Sequence, residues 1–416
     1  MTMTGFAHSA LFTRDVPAPA PRWTGFPKFN FIGGHNDPTQ IPAHELAETA
    51  AAALRRSGAS LAMYNSDGPQ GYRGLRDFVV SKVSGRAGIT CSADDVLITS
   101  GSGQGLDLVY RLLLDPGDTV LVEEFSYGGA ISKLKRLGVN IVGMPLDADG
   151  IRMDALARLL EDLGRKGIVP KMIYTIPTIQ NPSGSILPLD RRRELIALSA
   201  KHGVPIFEDE CYADLIWTKD APPSLHALDP SHVIHVGSFS KTLAPALRLG
   251  YLIADWEAMS RLVAMKRESD SGTGAIEQMV VADYFAKEFG AHITALNAVL
   301  SGKLDTMIDA LEKEFGTAFE PWRPKGGIFL WIKLPDQIDV RKLVTPAAAA
   351  GIAFNPGPEW SCNPEGAASY MRLCFALPSK DNIRAGIAAL ARVCFEQTGI
   401  PEQSGNVRRA SSGSAG

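Results

Sequence analysis

The sequence predicts an α/β fold: a mostly parallel sheet covered by helices on both faces, followed by a smaller α+β unit at the C-terminal end. Two observations carry this expectation. From Asp94 to Val236, short apolar runs alternate with segments of helical period, the pattern of strands joined by crossover helices. Beyond Ala254 the alternation stops, a helical pattern runs to about Phe315, and isolated strand-like runs and a last helix follow. The change places a boundary near residues 290 to 310. The division expected is an arm over 1–45 that leads into the smaller unit, a large unit over 46–300, the smaller unit over 301–400 and a disordered tail over 401–416.

Taken in order, Val16 to Pro27 is proline-rich and predicts an extended arm. Gly33-Gly34-His35-Asn36-Asp37-Pro38 is a turn cluster where backbone can approach a ligand closely, or a plain turn. Pro42 near its start and the stripe Leu46, Ala50, Ala53 and Leu54 predict a helix, and the glycine-rich stretch Met63 to Arg76 a loop. The alternating series then predicts strands at Val96–Thr99, Thr119–Glu123, Ile141–Met144, Met172–Ile176, Val204–Phe207 and Val233–Val236. Between them fall helices at Leu106–Leu114, after Tyr127 to Leu137, Met153–Gly164 and Leu189–His202. A further apolar segment covers Leu249–Ala254, strands are expected at Gly326–Ile332 and Met371–Phe375, and a final helix at Asn382–Phe395.

Composition narrows the function. With 416 residues, Lys+Arg 42 against Asp+Glu 45 and a formal net charge of −3, the chain has neither a basic footprint for nucleic acid nor a polybasic membrane patch. No apolar run is long enough to span a bilayer. Five widely spaced cysteines without a Cys-x-x-Cys pair argue for reduced thiols, hence a cytoplasmic protein whose partners are small molecules.

The chemistry-bearing residues fall at predicted strand ends, where open α/β sheets bind ligands. Lys241 stands among Ser238, Ser240 and Thr242 with Arg248 seven positions on, which suits an amine beside an anion site, or a solvated loop lysine. Ser100 to Gly105 opens a helix; it is a strand-to-helix turn whose amides suit an anion, without the pattern of a Walker loop or dinucleotide fingerprint. Glu208-Asp209-Glu210 ends a strand and can bind a metal, hold a cationic ring nitrogen or cap a helix; no histidine at ligand spacing supports zinc. Asn181-Pro182-Ser183-Gly184 places an amide in a tight turn, and Arg372 is a lone cation in an apolar strand that needs an anionic partner.

In this order and at these distances, Asn181-Pro182-Ser183-Gly184, Asp209-Glu210-Cys211-Tyr212 and Ser238-Phe239-Ser240-Lys241 with Arg248 resemble the fold-type I pyridoxal-phosphate enzymes of the class I/II aminotransferases. Within them the chain is most similar to the branch of aminoadipate, kynurenine and other broad-specificity aminotransferases. The resemblance runs from about Gly33 to Phe395 and implies a seven-stranded sheet, pyridoxal 5'-phosphate (PLP) as cofactor and a homodimer with shared active sites.

It implies Lys241, Asp209 and Tyr212 as catalytic residues: Lys241 condenses with the cofactor's aldehyde and later moves a proton, and Asp209 keeps the pyridine nitrogen protonated. Asn181 and Tyr212 would bond the ring's phenolic oxygen and Tyr127 would stack on the ring. Ser102, Gly103, Gln104, Ser238, Ser240 and Arg248 would hold the phosphate, with Tyr64 reaching it from a neighbouring subunit. Gly34, Asn181 and Arg372 would bind substrate, Arg372 gripping its α-carboxylate.

Three departures from the family pattern stand out: a longer loop between Tyr64 and Gly71, Gly103 where glutamine is frequent, and the proline-rich arm in place of an N-terminal helix. The expected reaction passes an amino group from an L-amino acid, aromatic or long-chain, to a 2-oxo acid such as 2-oxoglutarate. The alternatives are other fates of the same chemistry, β-elimination, decarboxylation or aldol cleavage, and a PLP-sensing regulator, whose helix-turn-helix module the short arm does not accommodate.

Overall fold

The computed structural model describes residues 8–13, 16–217 and 221–401, so the tail expected after Pro401 lies outside the described residues. Its strands in chain order are β1 (Phe29–Asn30), β2 (Val96–Thr99), β3 (Thr119–Glu123), β4 (Asn140–Met144), β5 (Leu146–Asp147), β6 (Gly150–Ile151), β7 (Met172–Thr175) and β8 (Ile206–Asp209). They continue with β9 (Val233–Ser238), β10 (Gly250–Ile253), β11 (Glu320–Trp322), β12 (Phe329–Lys333), β13 (Ile352–Ala353), β14 (Asn355–Pro356) and β15 (Tyr370–Cys374).

Seven of these form the central sheet in the order β2-β10-β9-β8-β7-β3-β4. Every neighbouring pair from β9 to β4 is parallel, whereas β10 is antiparallel to both β9 and β2. In β2, β3, β7, β8, β9 and β10 every residue is buried, which is why these strands read as unbroken apolar runs rather than alternating ones. The antiparallel β10 has a consequence for position. Its first residue, Gly250, lies opposite Thr99 and Ser238, the last residues of β2 and β9, so the chain entering β10 sits at the same edge as the carboxyl ends of the parallel strands.

The second sheet, β11-β12-β15-β14, is antiparallel throughout. Its residues Leu330 and Leu373 share one continuous core with Val122, Tyr174 and Phe207 of the central sheet. Phe29 pairs with Ile352 in a short parallel ribbon, which fixes the N-terminal segment to this second sheet before the Gly33-Gly34 turn crosses to the central one. The helix Ala275–Phe315, 41 residues long, packs on the helices Ala43–Ser57, Arg73–Ala87 and Lys380–Thr398. Residues 16–27 have no regular structure, and 16–26 lie exposed.

Several boundaries differ from expectation. The helix expected at Leu106 begins at Ser102, so the turn shrinks to Ser100-Gly101. The strand expected at 204–207 lies at Ile206–Asp209, because Val204 still bonds back to the preceding helix through Ser199 O. The helix Arg73–Ala87 starts within the expected loop; its buried Leu75, Val79 and Val83 supply the apolar face. The long helical region is two helices, Trp256–Asp270 and Ala275–Phe315, separated by Ser271 and Gly272, both with positive φ. The strand expected from Gly326 starts at Phe329, since Gly326 is committed to a bridge with Ile216.

Candidate active site

At the carboxyl edge of the central sheet, under the face of the second sheet, lies a cavity of about 310 Å³. Four chemically distinct parts meet in it, each placed by a different element.

The first is an amine. Lys241 follows the end of β9, and its Nζ donates a 2.8 Å hydrogen bond to the carbonyl oxygen of Gly34. A Cβ on Gly34 would collide with that Nζ, so the glycine is what lets the turn pass so close. Burial pushes the ammonium pKa below its usual range, and the positive charges of Arg372 and Arg248 act in the same direction.

The second is a carboxylate. Because side chains alternate along a strand, Glu208 and Glu210 point away from Asp209. Glu208 is taken up by His235 at 2.9 Å, and Glu210 by Thr178 at 2.7 Å and Arg192 at 3.6 Å. Asp209 alone of the three lines the cavity. Its Oδ2 accepts from Tyr174 Oη at 2.7 Å and its Oδ1 from the Cys211 N–H at 3.3 Å. Burial raises its pKa, and these donors oppose the shift. Among the described residues no group of three or more His, Cys, Asp or Glu is arranged for a metal.

The third is an anion cradle. The helix Ser102–Leu113 presents Ser102 and Gly103 at its first turn, where backbone N–H groups precede the helical ladder. Ser238 and Ser240 close the opposite side, with the Ser240 N–H held by Ser238 Oγ at 3.1 Å. Arg248 enters from the segment before β10 with φ 52° and ψ 47°, and its guanidinium lies against Gly101, where a side chain would collide with it. Its own hydrogen bonds are long ones to the carbonyls of Pro245 and Ser100, at 3.3 and 3.4 Å. Gln104, expected to join this cradle, does not line the cavity. Its side chain accepts from the Ser100 N–H and from Lys266 Nζ and donates to Asp270.

The fourth is a buried guanidinium. Arg372 on β15 lies opposite Asn355 of β14 and Trp331 of β12. Its Nη1 donates to Asn181 Oδ1 at 3.0 Å, and its Nη2 to Asn355 Oδ1 at 2.6 Å and Gly33 O at 3.3 Å, while its buried Nε has no partner. The rings of Phe329 and Trp360 sandwich it, with centroids 3.7 and 3.5 Å from Cζ. Burial without a carboxylate partner lowers its pKa to about 10. Asn181 also donates to Tyr212 Oη at 3.2 Å, linking this group to the floor of the cavity. Tyr127 lines the remaining wall, 5.9 Å from Trp360.

Tyr64 is not part of this cavity. It lies 90 % exposed on the outer surface. Sequence reasoning missed Tyr174, Asn355, Phe329 and Trp360. Tyr174 and Phe329 read as core residues inside apolar strands, and Asn355 and Trp360 flank a proline-glycine turn that resembles any surface loop.

The chain is similar to known proteins. The family described as aminotransferase class I and II matches residues 34–390. A 2-aminoadipate transaminase from Thermus thermophilus is 34 % identical over 367 residues, 87 % of this chain and 89 % of its own length. An aromatic-amino-acid aminotransferase from Thermococcus litoralis is 31 % identical over 370 residues, 88 % of each chain. The crystal structure of an α-aminoadipate aminotransferase from Thermus thermophilus, complexed with N-(5'-phosphopyridoxyl)-L-leucine, superposes with a TM-score of 0.80 at 34 % identity, covering 88 % of this chain and 91 % of that one. The chain belongs to the class I and II aminotransferases, and is a transaminase that uses pyridoxal 5'-phosphate.

Proposed function

We propose that the four parts of the cavity hold PLP and an α-amino acid together, and that the protein transaminates aromatic or long-chain L-amino acids with a 2-oxo acid such as 2-oxoglutarate. The observation that carries this reading is the meeting of Lys241, just after β9, with Asp209 of β8 and Arg372 of β15 in one cavity. The residues fit the cofactor on physical grounds. A cradle of serines, helix amides and Arg248 suits a phosphate, and a buried carboxylate without a cation suits a protonated ring nitrogen. The orphan Nε of Arg372 suits a second, separate anion.

When bound, PLP supplies an aldehyde for the substrate's amino group and a ring that accepts the electrons released with the α-proton. Ser102, Gly103, Ser238, Ser240 and Arg248 would anchor the phosphate, and Tyr127 would cover a ring face. Asp209 would keep the ring nitrogen protonated, and Asn181 and Tyr212 would donate to the ring oxygen. Lys241, whose ammonium is destabilised by burial, would serve as the base that takes the proton from the substrate α-carbon and as the acid that gives it back. Arg372 binds the α-carboxylate, with Asn181 orienting it beside the Gly33-Gly34 turn.

The substrate class is supported by the names of the relatives, an aminoadipate and an aromatic-amino-acid aminotransferase. A homodimer with shared sites is supported by the exposure of Tyr64 beside Leu61 and Met63. A cytoplasmic location is supported by five free cysteines. The division into a large unit over 46–300 and a smaller one over 301–400 follows the two sheets, with the helix Ala275–Phe315 crossing it. The test is a panel of amino acids added to the purified holoenzyme without an oxo acid. A true donor shifts the cofactor's absorption band and releases its 2-oxo acid; release of ammonia, sulfide or carbon dioxide instead refutes the transaminase assignment.

A further inference from the structure

One buried carboxylate beside the site takes no part in the reading above. Glu123, the last residue of β3, is 2 % exposed. Its Oε1 accepts from Thr175 Oγ1 at 2.6 Å and from the Ile176 N–H at 3.1 Å, and its Oε2 accepts from Gln180 Nε2 at 2.8 Å. Its neighbours Glu208 and Glu210 pair with His235 and Arg192, but among the described residues no basic side chain is in ion-pair contact with Glu123. A charge in this position is costly and calls for a reason.

The reason lies in Gln180. Its Nε2 donates to Glu123 and also to Phe125 O at 2.7 Å, while its Oε1 accepts from the N–H and the Oγ of Ser183 at 2.9 and 2.7 Å. The amide therefore ties the chain leading to Tyr127 to the turn that carries Asn181. An amide has a donor end and an acceptor end of nearly the same shape, so its orientation has to be imposed. A carboxylate only accepts. It draws Nε2 to itself and leaves Oε1 for the turn.

We propose that Glu123 is a positioning residue for transamination: its carboxylate fixes the Gln180 amide, and through it the turn that presents Asn181 to Arg372 and Tyr212. The assignment rests on the roles given above to Asn181 and Arg372. Protonated, Glu123 would offer a donor at one oxygen where acceptors are needed, leaving Phe125 O and the Ser183 donors to hold the amide, and the orientation would weaken. Burial raises its pKa to about 7, against the three donors. The titratable groups facing it from neighbouring elements are Asp209 on β8, which raises it further, and the Cys362 thiol, whose Sγ lies 3.5 Å from Glu123 O. The presentation of Asn181 is therefore complete above neutrality and weakens as pH falls through it.

The test compares holoenzymes carrying Glu123→Gln, Gln180→Ala, both together, and Asn181→Ala. Glu123→Gln raises KM for the amino acid and the oxo acid roughly tenfold, as for one lost hydrogen bond to a charged group, with a smaller change in kcat. It also removes the fall in kcat/KM below neutrality. Its stability moves the other way. The folded wild type holds a proton that the unfolded chain has released, so ionising Glu123 costs stability as pH rises from the ordinary carboxylate range to about 7, and the variant is spared this loss. In the double variant the KM effects do not add, because both act through one amide. Wild-type KM and pH profile in Glu123→Gln, or additive effects in the double variant, overturn the proposal. Should Glu123→Gln not fold, Gln180→Ala decides alone by the same KM and pH criteria. If Asn181→Ala leaves KM unchanged, the underlying reading of Asn181 is what fails; if it raises KM while Glu123→Gln does not, only the role of Glu123 fails.

Discussion

Tyr174 reaches across from β7 to donate a 2.7 Å hydrogen bond to Asp209 on β8, with both groups buried. Burial and the neighbouring charge push the phenol pKa well above its usual value, so it remains a donor at any working pH. Together with the donors of Cys211 it helps keep Asp209 ionised where burial favours the neutral acid. Tyr174→Phe removes it. A hydrogen bond to a charged group contributes about 1.5–3 kcal/mol, so kcat is expected to fall by roughly tenfold to a hundredfold. The fall is largest at the acid end of the pH profile, where Asp209 is hardest to ionise, and steady-state kinetics across pH checks it.

Lys241 has a spectroscopic and a thermodynamic signature. The purified protein is expected to be yellow, and Lys241→Ala to lose the band and the activity together. In the cofactor-free protein the folded-state pKa lies below that of the unfolded chain, about 10.4. Between the two values the unfolded chain binds more protons, so this residue makes stability rise with pH. Lys241→Met is expected to stabilise the apo-protein at about pH 7, with the gain narrowing towards pH 10. Urea unfolding at both pH values checks the sign.

The 2.6 Å bond from Arg372 Nη2 to Asn355 makes Asn355 a determinant of carboxylate binding. Asn355→Ala leaves that nitrogen with the longer contact to Gly33 O and is expected to raise KM for amino and oxo acids by about three- to tenfold. Arg372→Met removes the cation itself and is expected to cost far more. Comparing α-amino acids with the corresponding amines, which lack the carboxylate, shows whether the loss is specific to that group.

Away from the cavity, Lys82 Nζ lies 2.8 Å from Asp214, with both side chains about 5 % exposed or less, and donates to Tyr251 Oη at 3.0 Å. Burial lowers the lysine pKa but the two anionic-capable partners outweigh it, and the net shift is upward. Lys82→Met strands the Asp214 carboxylate in the interior and is expected to destabilise by about 3–5 kcal/mol. Chemical denaturation measures this directly.

Much of the architecture could be read from the sequence, because buried parallel strands leave continuous apolar runs and crossover helices leave a period. Lys241, Asp209, Asn181 and Arg372 were singled out because a polar side chain just beyond an apolar strand, or an arginine within one, has to be accounted for, and because their order resembles a family's motifs. What escaped depended on partners far away in the chain. Asn355 acquires meaning only through its register with Arg372, and Trp360 only through the ring stack it forms over that arginine. Glu123 and Gln180 are ordinary polar residues until the turn at Asn181 folds between them. Gln104 shows the converse, since a motif position does not say which way a side chain points.

The helix Ala275–Phe315, at 1.5 Å per residue, is a rod of about 60 Å. It begins just after Thr273, whose hydroxyl lies 3.2 Å from that of Ser100 beside the anion cradle, and further along it packs on Lys380–Thr398. One continuous element therefore runs from the edge of the anion cradle to the helix that follows β15, the strand carrying Arg372, so the two halves of the site are held to a common scaffold.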